Sequence, residues 1–116
     1  MTETSPTNIL IVEDNLLIAM MLEDIIEELG HRVVGPYLNL HDGLAHASRD
    51  DLNFALLDFD LGEGTCAIPI AEALTRRRIP FAFTSGTSPQ VIRQFLPDAM
   101  IVGKPVTEAD LRRILP

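Results

Sequence analysis

The sequence predicts a doubly wound α/β domain, a five-stranded parallel sheet with helices on both faces, and three observations lead there. Five short apolar runs recur along the 116 residues, each followed by a segment of helical periodicity. The runs are continuous rather than alternating, as expected of strands covered on both faces. The connections are short, so consecutive elements must pack as neighbours. A chain of this length buries roughly two thirds of its unfolded surface, enough for one core without a metal or disulfide staple.

The elements follow in order. Met1 to Asn8 is a polar stretch of Thr, Glu, Ser and Pro, expected as a frayed tail (1–8), with the domain spanning 9–116. Ile9 to Val12 is the first strand and stops at Glu13-Asp14. Asn15 is an N-cap for a helix whose apolar residues recur at Leu16, Met20, Ile25, Ile26 and Leu29 and which ends at Gly30. That apolar stripe, with Met20 and Met21, is expected as core, and Glu23, Asp24, Glu27 and Glu28 as a solvated face. Arg32 to Gly35 is the second strand, and Asn39 with Asp42 three residues on caps a helix to about Ser48. Phe54 to Leu57 is the third strand, with Asp58 at its carboxyl end. After the Gly62 to Thr65 loop a helix covers Ala67 to Arg77, with Pro69 in the first turn, where its missing N–H costs nothing. Cys66 is expected as a small, half-buried helix residue. Phe81 to Phe83 is the fourth strand, its phenylalanines filling the core, and Ser88-Pro89 opens a fourth helix through Phe95. Met100 to Val102 is the fifth strand, and Thr107 to Asp110 starts the last helix with a cap and an acidic first turn.

Charge narrows the partners. Nine Lys and Arg against 17 Asp and Glu leave a net charge of −8, the wrong sign for a nucleic-acid module, and Arg76-Arg77-Arg78 reads as a helix end. No apolar run approaches the ~20 residues that cross a bilayer, and the first residues lack the basic and apolar regions of a signal peptide. A cytoplasmic location is the expectation. His31, His41 and His46 are not spaced as metal ligands and read as structural.

In a doubly wound sheet, ligands bind at the carboxyl ends of the strands. There the sequence places Glu13-Asp14, Asp58, Thr84-Ser85 and Lys104-Pro105. Three carboxylates about 4–6 Å apart repel by a few kcal/mol per pair at an effective dielectric near 20, so such a site calls for a cation. Mg²⁺ fits an all-oxygen set and keeps a position open for a phosphoryl oxygen. Lys104 adds a positive point charge, the Ser85 hydroxyl a hydrogen bond, and ionised Asp58 a nucleophile toward an activated phosphoryl donor.

This pattern resembles the receiver domain of two-component response regulators, over essentially the whole chain. Glu13-Asp14 resembles the family's acidic pair, Leu56-Leu57-Asp58 its phosphorylated aspartate, Ser85-Gly86 its hydroxyl residue followed by a small one, and Lys104-Pro105 its lysine and usually cis proline. The resemblance implies a flavodoxin-like sheet of order 2-1-3-4-5. It also implies Mg²⁺ on Asp14, Asp58, the Asp60 backbone carbonyl and, through water, Glu13. The phosphoryl group would come to Asp58 from a sensor histidine kinase or a histidine phosphotransferase, docked at the first helix and the strand-5 loop, with small-molecule phosphodonors as a further source. The resemblance also favours Ser85 as the switch hydroxyl, with Thr84 the second candidate, because counting five residues on from Pro80, the family's usual strand-4 leader, lands on Ser85.

Three departures stand out. Ile101 occupies the position of the family's switch aromatic, so the coupled hydroxyl-aromatic rearrangement cannot run in its usual form. Pro80 to Thr87 resembles a variant of the Phe-Ala-Thr-Gly motif of stand-alone receivers common in alphaproteobacteria, with Thr84 and Ser85 in place of Ala and Thr. The loop after Asp58 lacks the frequent Met-Pro, and the fourth helix is short. With no residues left for an output domain, the expectation is a stand-alone response regulator that signals by protein contacts or drains phosphate from a kinase, not an enzyme beyond its own phosphotransfer and dephosphorylation. Two alternatives compete: a haloacid-dehalogenase-like phosphohydrolase using Asp58-Phe59-Asp60, and a non-phosphorylated interaction module.

Overall fold

The computed structural model describes residues 6–116, so the expected polar tail lies largely outside the described residues. Ten elements alternate: β1 (Asn8–Val12), α1 (Leu16–Glu28), β2 (Arg32–Tyr37), α2 (Leu40–Ala47), β3 (Phe54–Asp58), α3 (Ile68–Arg76), β4 (Phe81–Ser85), α4 (Pro89–Arg93), β5 (Met100–Gly103) and α5 (Glu108–Ile114). All strand pairs are parallel, in the order β2-β1-β3-β4-β5. The chain leaves β1 toward one edge and resumes at β3 on β1's other side, so the crevice opens at the carboxyl ends of these two strands.

Successive strand residues point to opposite faces, and each face has its own core. Leu10, Val12, Ala55, Leu57 and Phe83 pack beneath Ala47 of α2, Ile70 and Leu74 of α3 and Ile92 of α4. Ile9, Ile11, Leu56 and Ala82 pack beneath Leu22 and Ile26 of α1 and Leu111 of α5. Every residue of β3 is buried, which is why its sequence reads as an unbroken apolar run up to Asp58.

Local signals fix the helix ends. The Asn15 side chain accepts the Ile18 N–H, and Asn39 does the same for Asp42, each satisfying a donor with no partner inside its helix. At the far end of α1, Gly30 adopts φ +92°, and the N–H groups of Gly30 and His31 turn back onto the carbonyls of Glu27 and Ile26. A side chain disfavours that backbone, so glycine is the fitting stop. Thr107 and Asp110 form a reciprocal capping box on α5.

Several boundaries differ from the sequence reading. Asn8, assigned to the tail by its polarity, opens β1 and pairs with Arg32. β2 runs on to Tyr37 through a register shift at a cis Gly35–Pro36 bond, where a proline would ordinarily argue for the strand's end. α4 is shorter than expected, ending at Arg93. Cys66 precedes α3 and forms an isolated antiparallel bridge with Asp60. Arg77, beyond its end-of-helix reading, donates from its guanidinium to the carbonyls of Ala47 and Asp50, tying the ends of α3 and α2 together.

The largest difference concerns α1. Ala19, Leu22 and Ile26 face the sheet, whereas Leu16, Leu17, Met20 and Met21 are exposed, Leu17 to 69%. The methionines expected in the core lie on the outer face of the helix. No helix among the described residues is long and apolar enough to cross a membrane.

Candidate functional site

The parallel register brings the strand-end polar groups to one edge. Glu13 follows β1 directly and is 1% exposed; its Oε2 accepts the Asn15 N–H at 3.0 Å, which fixes the carboxylate at the foot of α1. Asp14, the next residue, is exposed. Asp58 closes β3 at 4% exposure, and its Oδ1 accepts the Asp60 N–H at 3.3 Å. Lys104, immediately after β5, places Nζ 3.1 Å from Glu13 Oε1 and 3.1 Å from Asp58 Oδ2. Its bond to Pro105 is cis.

Glu13, Asp14 and Asp58 each offer a carboxylate oxygen, and these oxygens lie within 4.8 Å of one another. One lysine serves three carboxylates. Burial first, then the neighbouring Glu13 and Asp14, push the Asp58 carboxyl up to about 8, against the opposing pull of Lys104. Burial alone would lower Lys104, but its close pairing with the Glu13 and Asp58 carboxylates outweighs it and holds the ammonium above its ordinary range. Glu13 Oε1 is buried and, although it stands close to Lys104 Nζ, has no hydrogen bond of acceptable geometry. A buried carboxylate oxygen without a hydrogen bond is costly, and an excess of acid beside it fits a hard divalent cation with oxygen ligands. The residues present therefore fit Mg²⁺.

These groups line an open cleft of about 480 Å³. Asp60 also lines it, with its side chain accepting the Gly62 N–H at 3.0 Å. The two hydroxyl candidates are placed differently. Thr84 is buried in β4 and paired in register with Asp58. Ser85, also buried, ends β4; its Oγ accepts the Thr87 N–H at 2.8 Å, and the cleft wall there is formed by Gly86 and Thr87. Ile101 sits opposite Phe83 in the register and packs into the core. Phe83 in turn meets Phe59 and Phe81 edge to face.

Sequence reasoning placed Gly86 beside the hydroxyl candidate but missed four cleft residues: Asn15, read only as a helix cap, Ile18, Gly62 and Thr87. Asn15 and Thr87 carried a signal, since each lies within three residues of a strand end. Ile18 and Gly62 carried none, because only the packing of α1 and the folding-back of the β3–α3 loop bring them to the cleft.

No family model matches the chain. The regulator PhyR of Methylorubrum extorquens is 29% identical over 112 residues, 94% of this chain but 42% of that protein, so the chain spans less than half of the curated relative. The solution structure of SdrG from Sphingomonas melonis Fr1 superposes with a TM-score of 0.82 at 38% identity, covering 96% of this chain and 94% of that one. The receiver domain of the sensor histidine kinase PA1611 from Pseudomonas aeruginosa PAO1, which holds a magnesium ion in its active-site cleft, superposes at 0.80 with 25% identity, covering 95% and 94%. An identity of 38% along nearly the full length of both chains, at a TM-score of 0.82, settles the family: the chain belongs to the receiver domains of two-component response regulators, the phosphoryl-accepting modules of that signalling system.

Proposed function

We propose that the unit 9–116 accepts a phosphoryl group on Asp58, with Mg²⁺ held by Asp14, Asp58, the Asp60 backbone carbonyl and, through water, Glu13. The observation that carries this reading is the excess of three clustered carboxylates over one lysine around a buried Glu13 oxygen with no hydrogen bond. When bound, Mg²⁺ supplies the positive charge that lets these carboxylates stay ionised beside an incoming anionic phosphoryl group.

The chain's own residues do the rest. Ionised Asp58 attacks phosphorus in line; a new O–P bond forms, and the bond to the donor's leaving atom breaks, its electron pair departing with that atom. For a phosphohistidine donor the leaving atom is an imidazole nitrogen, which takes up a proton. Lys104, already 3.1 Å from Asp58 Oδ2, exchanges part of its carboxylate pairing for a phosphoryl oxygen. Ser85 Oγ, whose O–H now reaches the Thr87 carbonyl only at 3.5 Å, turns that proton to another phosphoryl oxygen while its lone pair still accepts the Thr87 N–H. With Ile101 in the switch-aromatic position, the response to phosphorylation rests on the β4–α4 turn.

The donor is a sensor histidine kinase or histidine phosphotransferase docking on α1. Support comes from the outer face of that helix, where Leu16, Leu17, Met20 and Met21 stand exposed beside the cleft. A groove of about 300 Å³ runs from there between Met21 and Ile25 of α1 and Pro105-Val106, sharing Ile18 and Lys104 with the cleft. Output is by protein contacts or by draining phosphate from the kinase.

Incubation with Mg²⁺ and acetyl phosphate tests the reading. Intact mass should rise by one phosphoryl group that hydroxylamine removes, and Asp58→Ala should show no adduct. An unmodified wild type, or the same adduct on Asp58→Ala, overturns it.

A further inference from the structure

The loop after Asp58 is a folded hairpin. Its sides are joined by the Asp60 to Cys66 bridge, by Leu61 N–H to the Thr65 carbonyl at 3.0 Å, and by Ala67 N–H to the Phe59 carbonyl at 2.9 Å. Phe59 packs on Phe83 and Leu61 is buried in the same core, which anchors the loop on either side of Asp60. At its tip Gly62, Glu63 and Gly64 take φ values of +83°, +51° and +75°. Thr65 pins the first of them twice, its N–H and its hydroxyl both donating to the Gly62 carbonyl at 2.8 and 2.7 Å.

Gly62 alone in this tip faces the acidic cluster. A Cβ there would stand 3.2 Å from Asp14 Oδ2, closer than the 3.4–4 Å of ordinary contact, whereas a Cβ on Gly64 would meet nothing within 4 Å. Of the three clustered carboxylates, Asp14 is the exposed one, and Lys104 pairs with the other two. Nothing rigid therefore keeps Asp14 in place against a push from Gly62's direction.

We propose that Gly62 is a positioning residue for the cation site: the space left by its missing side chain lets Asp14 aim its carboxylate into the cluster, and the Thr65 hydrogen bonds hold that space open. The proposal rests on the reading of the cleft as a cation site. A methyl at position 62 does not collide with backbone or core, so the Asp14 carboxylate yields by rotating away. The damage then falls on cation binding more than on folding. Strain from the left-handed backbone is a separate effect, shared with position 64 and tolerated at Glu63.

Titration of Mg²⁺ into the metal-free protein, followed by amide NMR shifts or calorimetry, separates the two effects. Gly62→Ala and Gly64→Ala should lose comparable thermal stability, but only Gly62→Ala should weaken Mg²⁺ binding, by about tenfold, the loss typical of disturbing a ligand's support. In an Asp14→Asn background, Gly62→Ala should change Mg²⁺ affinity no further, because the ligand it acts through is already impaired. Thr65→Val, which deletes only the hydroxyl bond, should weaken binding about threefold in a protein of unchanged helix content, and serves if Gly62→Ala fails to melt cooperatively. Equal Mg²⁺ affinity for Gly62→Ala and Gly64→Ala, or an unchanged affinity for Thr65→Val, overturns the positioning role while leaving the cation site standing. A wild type that binds no Mg²⁺ removes the cation site itself.

Discussion

Replacing Asp58 by Asn should make the metal-free protein more stable, and increasingly so as pH rises. Burial and the neighbouring Glu13 and Asp14 push this carboxyl up to about 8, from 3.8 in the unfolded chain. Between those values the folded protein holds a proton that the unfolded chain has released. Stability therefore falls as pH climbs through this window, is unaffected by Asp58 below about 4, and reaches its lowest contribution above 8. A shift of about four units at ~1.4 kcal/mol each sets a ceiling near 6 kcal/mol. The cleft admits water and Lys104 offsets part of the repulsion, so the expected gain for Asp58→Asn is about 1–3 kcal/mol at pH 8 and less than half of that at pH 5. Asn keeps the shape and leaves the Glu13–Lys104 contact intact. Urea unfolding at both pH values in a chelator measures the difference. Saturating Mg²⁺ should then stabilise the wild type more than the variant and narrow the gap, by about 1.4 kcal/mol at ten times its dissociation constant. A variant no more stable than wild type at pH 8, or a gain identical at pH 5 and 8, would refute the argument that clustered charge opposes folding here.

Two further substitutions probe the scaffold and the docking face. Gly43→Ala, which in an open helix would stabilise, should instead cost about 1–3 kcal/mol in thermal or urea unfolding, because the new methyl meets Val12 at 2.9 Å and Ile70 at 3.0 Å in a closed core. Leu17→Glu should slow phosphotransfer from a cognate phosphohistidine protein by about tenfold in a radiolabel transfer assay, the loss of one apolar anchor at a small interface. Its reaction with acetyl phosphate and its melting temperature should match wild type, since the side chain is 69% exposed and lies outside the cleft lining.

What the sequence made legible depended on which physical signals are local. A parallel sheet delivers all its strand carboxyl ends to one edge, so finding the strands was enough to bring Glu13, Asp14, Asp58 and Lys104 together, and the caps at Asn15, Asn39 and Thr107 set the helix starts. Directions that depend on three-dimensional neighbours were not legible. The side chain of Ser85 is captured by a backbone N–H two residues on, and the approach of Gly62 to Asp14 follows from a hairpin whose turn lies in left-handed backbone. The assignment of Leu16, Met20 and Met21 to the core failed for a more instructive reason. Periodicity says that a helix has an apolar face, yet α1 carries apolar residues over a wider arc than one sheet can cover, and the choice of which ones are buried belongs to the sheet. Ala19, Leu22 and Ile26 take the sheet side, which leaves Leu16, Leu17, Met20 and Met21 over. Apolar residues left over after a complete core, contiguous and beside a reactive cleft, are what an association surface requires. Leu16, Met20 and Met21, first assigned to the interior, are thereby free to serve as the docking face proposed for a phosphoryl donor.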